Sequence, residues 1–415
     1  MKYLPLPLHH IESGKPVPIN VWDARGNLLI RKGQTITSEN HKENLAAHQA
    51  SATEVDYKAW QRSYDRLIYS MVRSGMSIEQ IAKTPMPTEI LEIDYVVGHE
   101  VVGGWMDLHE VLATLLKQGP AAKSPLERVL GIQKRATSLL LASPNESLFT
   151  LLQALPDRSY TYCAKHALLS AVLCELTAQK LGVPEPVRPV LFQAALMMNI
   201  GMAKEHDELA RQTISVTDGQ KQIIADHPQI SAAILHGFGL VNDDLLDIVQ
   251  GHHLPDAPEL LARNLECRQI LHLADQFIAF MTDRSTRSGL SALSIEKSML
   301  VDGTGDAARI GSAMTAAIGF YPPGTFVTLV NGETAVVVRR GATANHPLVA
   351  SVISADGSVL GQYLARDTKD KDHAARAPVR PEQLKIKVNA ERAQAVVEKM
   401  ARSSSRSHLQ QTSQT

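Results

Sequence analysis

Between Ser143 and Gly319 the sequence has no stretch that alternates apolar and polar residues with a period of two, and this absence constrains the fold most. Helical spacing fills the interval instead. Tyr160 to Leu181 places Leu168, Leu169, Val172, Leu176 and Leu181 at helical intervals and stops at Gly182-Val183-Pro184, a terminating sequence. Arg188 to Met198, Thr217 to Phe238, Asp243 to His252 and Leu265 to Thr282 read as further helices. Such segments must bury apolar faces on one another, so the centre of the chain is expected to be an all-helical bundle.

The flanks differ in character. Ile19 to Trp22 and Leu28 to Ile30 read as a β-hairpin around Asp23 to Asn27, with Gly26 free to take a positive φ. A hairpin of that size needs something to pack on. Helical stretches follow, at Ser38 onward, at Tyr57 to Arg73, from Ser77, and at Asp107 to Lys117 and Leu126 to Leu141. After the breaker Phe320-Tyr321-Pro322-Pro323-Gly324, alternation begins. Asn331-Gly332 and Asp356-Gly357 are hairpin turns between paired strands, Leu348 to Ile353 and Val359 to Tyr363 forming the second pair. Asp367 to Arg380 reads as a charged linker, Ala390 to Ala401 as a helix, and Ser403 to Thr415 as a disordered polar tail. The expected fold is mainly α, in four parts: an N-terminal α+β module over 1–142, the helical bundle over 143–319, a small β module over 320–366, and a linker, short helix and tail over 367–415.

Composition narrows the partners. Of 415 residues 44% are hydrophobic and 20% charged, enough for a sizeable core. The formal net charge of -1 offers no basic field for nucleic acid. Cys163, Cys174 and Cys267 lack metal or disulfide spacing, which favours a reducing compartment. The opening Met-Lys-Tyr-Leu-Pro-Leu-Pro-Leu lacks a signal-peptide core, and no run of about 18 apolar residues could span a membrane, so a cytoplasmic location is expected.

Within the bundle, five polar positions recur in fixed order: His166, then Met198-Asn199-Ile200-Gly201-Met202, His227-Pro228, His252-His253 and Ala274-Asp275. Singly, His166 reads as a core histidine, and His9, His10, His41, His48, His99 and His109 as ordinary surface or packed ones. The order carries the signal. It resembles the HD-GYP class of HD-domain phosphohydrolases, which runs His, His-Asp-Ile-Gly-Lys, His-Pro, His-His, Ala-Asp. The match continues through Thr282-Asp283-Arg284 and Arg287, and covers about Tyr160 to Arg287.

The resemblance implies divalent metals held by imidazole and carboxylate on facing helices, activating a water and neutralising a phosphodiester. Two such ions about 4 Å apart repel by roughly 17 kcal/mol at an effective dielectric near 20, so the family's couplet aspartate bridges them. Here Asn199 stands at that bridge, Met198 at the couplet histidine, Met202 at the phosphate-contacting lysine, and Tyr162 where a second-metal carboxylate often sits. Leu254-Pro255-Asp256-Ala257-Pro258-Glu259 replaces the Gly-Tyr-Pro loop associated with cyclic di-GMP. Every change at the core removes charge. Mapped onto the family's ligand sets, His227, His252 and His253 keep one half of the centre, while His166 and Asp275 keep a weaker half.

Two functions are therefore expected to compete. One is a degenerate, non-catalytic HD-GYP-like protein of bacterial cyclic-dinucleotide signalling, acting through a nucleotide ligand, a signalling protein or a homodimer. The other is a metal-dependent phosphodiesterase, on cyclic di-GMP or another nucleotide, with a reduced site. The expected cofactor is one divalent ion (Zn, Mn or Fe) at the three-histidine half, or none.

Overall fold

The computed structural model describes residues 3–23, 27–73, 76–91, 96–97, 100–101, 103–282, 289–302, 305–384 and 386–412. Gly26, His99, Asp283, Arg284, Arg287 and the last three residues of the tail lie outside them. The chain divides into two compact units, 1–114 and 115–415.

In the first unit, β1 (Tyr3–Pro5), β2 (Val21–Trp22), β3 (Leu28–Ile30), α1 (Glu39–Ala47), β4 (Ser51–Thr53), α2 (Glu54–Arg73) and α3 (Ile78–Ala82) precede a two-stranded ribbon of β5 (Val96–Val97) and β6 (Glu100–Val101). The expected hairpin, β2 and β3, finds its support in β4: the sheet order is β1-β4-β2-β3, with Trp22 opposite Ser51. Ile19, Val21, Ile30 and Trp60 are buried in its core, and the Trp60 Nε1–H donates to the Pro87 carbonyl at 2.7 Å.

Helix α4 (Trp105–Gln118) leads to the bundle: α5 (Pro125–Ala142), α6 (Pro144–Ala154), α7 (Tyr162–Leu181), α8 (Arg188–Met197), α9 (Ala203–Arg211), α10 (Asp218–Gly237), α11 (Asp243–Gln250), α12 (Leu265–Met281), α13 (Ala292–Asp302) and α14 (Asp306–Ile318). Helix α7 is more central than its apolar positions suggest. Every residue from Tyr162 to Ala178 is buried, with α8, α12 and α14 packed around it. This places His166 in the interior, where an imidazole is costly unless partners are supplied.

Five strands follow: β7 (Phe326–Leu329), β8 (Thr334–Arg339), β9 (Leu348–Ile353), β10 (Val359–Asp367) and β11 (Ala375–Val379), in antiparallel order β10-β9-β8-β7-β11. Asn331-Gly332 and Asp356-Gly357 turn two of the hairpins, both glycines at positive φ. Strand β11 corrects the sequence reading, which placed a linker over 367–380. Its Pro378 cannot donate to a ladder, which suits an edge strand, and here it sits opposite Val327. Helix α15 (Ala390–Thr412) runs beyond the expected Ala401 into the stretch expected to be disordered, since no glycine or proline interrupts that stretch.

The sheet is fastened to the bundle. Phe149 of α6 enters the sheet's core beside Phe326, Val336 and Ala350. Gln153 Nε2 donates to the Gly324 carbonyl at 2.5 Å, and the Arg340 guanidinium donates to Asn145 Oδ1 at 2.8 Å and to the Ala317 carbonyl. Gly324 is required at this seam: its φ is +98°, and a Cβ would lie 2.9 Å from the Phe149 carbonyl. Among the described residues no helix is long and apolar enough to cross a membrane.

Candidate metal centre

Helix α10 starts at a capping box of Thr217 and Gln220 and carries Pro228 in its interior. Proline has no N–H, so the Ile224 carbonyl one turn earlier loses its helical donor. The preceding side chain fills that gap. His227 Nδ1 lies 2.7 Å from the Ile224 oxygen. His252 follows α11, whose last carbonyls have no helical donors, and its Nδ1 lies 2.6 Å from the Val249 oxygen. A carbonyl only accepts, so both rings carry their proton on Nδ1 and present an unprotonated Nε2.

Those two Nε2 atoms are 3.1 Å apart. Neither can donate to the other in this tautomer. A cation shared between them would reconcile two lone pairs at that distance. His253 completes the group, its ring centroid 4.3 Å from that of His252 and 4.9 Å from that of His227. One donor atom from each of the three lies within 4.8 Å of the others. Burial, followed by the charge of His253, lowers the pKa of His227 to about 4 and that of His252 to about 3; burial also lowers His253. All three are neutral imidazoles at neutral pH, the form that binds metal. The donor set fits an ion of the zinc class, with three nitrogen ligands and a fourth position left for solvent or substrate.

The other half of the motif is arranged differently. His166 Nε2 lies 2.8 Å from Asp275 Oδ1, and its Nδ1 lies 3.1 Å from the Tyr162 hydroxyl. The carboxylate accepts from the Nε2–H, so the tyrosine O–H donates to Nδ1. Both ring nitrogens are thereby engaged with protein. Burial alone would raise the Asp275 carboxyl, but the hydrogen bond and charge of His166, with His252 and His253 adding to them, hold it well below the usual carboxylate range. Met198 is fully buried and Met202 nearly so. Asn199, at the couplet, is 2% exposed, and neither its Oδ1 nor its Nδ2 has a hydrogen-bond partner. An unsatisfied buried carboxamide costs about 1–3 kcal/mol, so this position favours a ligand.

Several positioning residues carried no local sequence signal. The Ser231 hydroxyl donates to the Met198 carbonyl at 2.7 Å and accepts from the Gly201 N–H at 3.0 Å, tying the couplet turn to α10. Gly201 allows that approach, for a Cβ there would stand 2.8 Å from the His227 carbonyl. Beneath the histidine pair, buried Arg268 pairs with Asp247 at 2.5 Å and donates to the carbonyls of Pro255 and Leu261 at 2.8 Å. Asp247 also accepts from Leu261 N–H and Asn264 Nδ2. This strut fixes the segment that replaces the Gly-Tyr-Pro loop. His272 Nδ1 donates to the His252 carbonyl at 2.7 Å, and His206 packs edge-on against Tyr162 and His166.

No family model matches the chain. It is 26% identical over 227 residues to the cyclic di-GMP phosphodiesterase PA4108 of Pseudomonas aeruginosa, a match covering 53% of this chain and 54% of that one. The chain resembles the HD-GYP class. The match spans about half the length of that curated relative. Among solved structures it is similar to Bd1817, an HDG"Y"P protein from Bdellovibrio bacteriovorus, with a TM-score of 0.42 and 13% identity over 75% of this chain and 98% of that one.

Proposed function

We propose that this protein is a cytoplasmic HD-GYP-like signalling protein that holds one divalent ion at His227, His252 and His253 and binds a cyclic dinucleotide or a signalling partner without turning over cyclic di-GMP. The observation that carries this reading is the contrast between the two halves of the motif. The His227 and His252 Nε2 atoms face each other 3.1 Å apart without a proton to share, whereas His166 and Asp275 satisfy one another at 2.8 Å. A second ion would have to break that pair, and Asn199 supplies no bridging charge against a repulsion of roughly 17 kcal/mol. The loss of the phosphate-contacting cation at Met202 also points away from catalysis.

A metal in the three-histidine half would supply Lewis acidity and a water of lowered pKa. Around it, the chain's own residues orient the ligands: Ile224 and Val249 hold the Nδ1 protons, and His272 holds the His252 backbone. The partial exposure of His253 supports a second reading, a phosphodiesterase with a reduced site, since a side open to solvent could admit a phosphate ester. Elemental analysis of purified protein, with chromatography of cyclic di-GMP incubated with it, tests both. One ion per chain and intact substrate are expected. Two tightly held ions with metal-dependent cleavage would overturn the first reading.

A further inference from the structure

A cavity of about 140 Å³ lies within the second unit, between the bundle and the sheet, and none of the three metal-site histidines lines it. Its interior is apolar, with Leu152, Leu155 and Met281 on the bundle side and Phe326 on the sheet side. Aromatic rings stand around it: Tyr160, Tyr162, Phe320 and Tyr321. That combination suits a flat ring with a polar attachment, because aromatic walls stack on a ring in offset or edge-on contact.

The cavity also gathers positive charge from separate parts of the chain. Arg158 precedes α7, Arg211 ends α9 and Arg380 follows β11. All three are exposed, and none of their guanidiniums makes a hydrogen bond or ion pair with a described residue. Lys165, only 4% exposed, adds a fourth cation; its Nζ donates to the Leu155 carbonyl at 2.9 Å and the Asp157 carbonyl at 2.6 Å, leaving one N–H unused. Burial lowers that lysine to about 8, so it remains largely charged at neutral pH. Against these four stands one lining acid, Glu382. A chain with a formal net charge of -1 has no general excess that would place three unpaired guanidiniums around one hollow.

The volume selects among anions. A cavity of about 150 Å³ admits a benzene-sized ring. Two nucleobases do not fit such a space together, and a bare phosphate would leave the apolar interior unfilled. We infer that this cavity is a second binding site, for a phosphorylated compound bearing a single aromatic ring system: a nucleoside monophosphate, with its base between the aromatic walls and its phosphate on the arginine rim. Guanidinium suits that role through paired N–H donors. The site touches the histidine motif at one point. Tyr162 lines the cavity and its hydroxyl bonds His166, so an occupant would lie against the residue that orients the His166–Asp275 pair.

The test is calorimetric titration of the full chain with GMP, AMP, CMP and UMP, and with inorganic phosphate as the ring-free control. At least one monophosphate should bind at least tenfold more tightly than phosphate, and should still bind after chelation of metal. The double variant R211A/R380A alters exposed side chains without partners, so it should keep the wild-type melting temperature while weakening that affinity tenfold or more. Equal affinity for inorganic phosphate would overturn the inference. So would loss of binding on chelation, undiminished binding in the double variant, or no monophosphate binding at millimolar concentration.

Discussion

His227 Nδ1 donates to the carbonyl that Pro228 has released from the α10 ladder, at 2.7 Å from the Ile224 oxygen. The residue that breaks the helical bond thus fixes the tautomer of its neighbour. The Pro228→Ala variant restores a backbone N–H that competes for Ile224. Zinc affinity, measured by competition with a chromophoric chelator, is expected to fall about tenfold, the lower end for loss of a ligand's outer partner. Thermal stability should hold or rise, since proline inside a helix costs about 3 kcal/mol. Unchanged zinc affinity would count against the tautomer argument.

The two halves of the motif should respond separately to substitution. His252→Ala removes one of the three imidazoles of the group, and bound metal should drop from one ion per chain to none. His166→Ala removes the partner of Asp275 and leaves that group intact. It should lower the melting temperature and retain one ion. Loss of the ion in both variants, by elemental analysis of folded protein, would show that the halves act as one centre.

Where local chemistry set the structure, the sequence disclosed it. Thr217 marks the start of α10, Gly182 ends α7 at a φ of +77°, and Gly332 turns a hairpin at +88°. The histidines of the motif were legible because their order survives even where Met198 and Asn199 do not match. The missed features join residues far apart in the chain. Arg268 reaches Asp247 across 21 positions, Ser231 reaches Met198 across 33, and β11 pairs with β7 through Val379 and Phe326. No periodicity encodes such meetings. The strand in β11 was masked by its own composition, because Arg376 and Pro378 read as linker until an edge position accommodates both.

The Arg268–Asp247 strut should matter to stability as well as to the loop it supports. Arg268 is 2% exposed, and its removal leaves the Asp247 charge buried without its cation. Breaking a buried pair from one side costs about 3–5 kcal/mol. Urea denaturation of Arg268→Leu should show a loss in that range. A change within about 0.5 kcal/mol would mean that Leu261 N–H and Asn264 satisfy the carboxylate by themselves.

The C-terminal sheet carries its own acid sensitivity. Arg366 grips Glu333 through two bonds, Nε to Oε2 at 3.0 Å and the terminal nitrogen to Oε1 at 2.7 Å, while the Ser351 hydroxyl donates to Oε2 at 2.6 Å. The Arg366 bonds outweigh burial and lower the Glu333 pKa from 4.5 to about 2. The folded protein therefore resists taking up this proton while the unfolded chain accepts it near pH 4.5. The linked stability is fully present above that pH and is lost as pH falls toward 2. Solvent screening limits its size to about 1 kcal/mol. Glu333→Gln has no such proton to take up, so its stability should be lower than wild type at pH 7, with a gap that narrows below pH 4.5 and closes near pH 2. Denaturation curves for both proteins at pH 7, 4.5 and 3 provide the measurement, and a constant gap across the three would show that the Glu333 charge is not the source of the sensitivity.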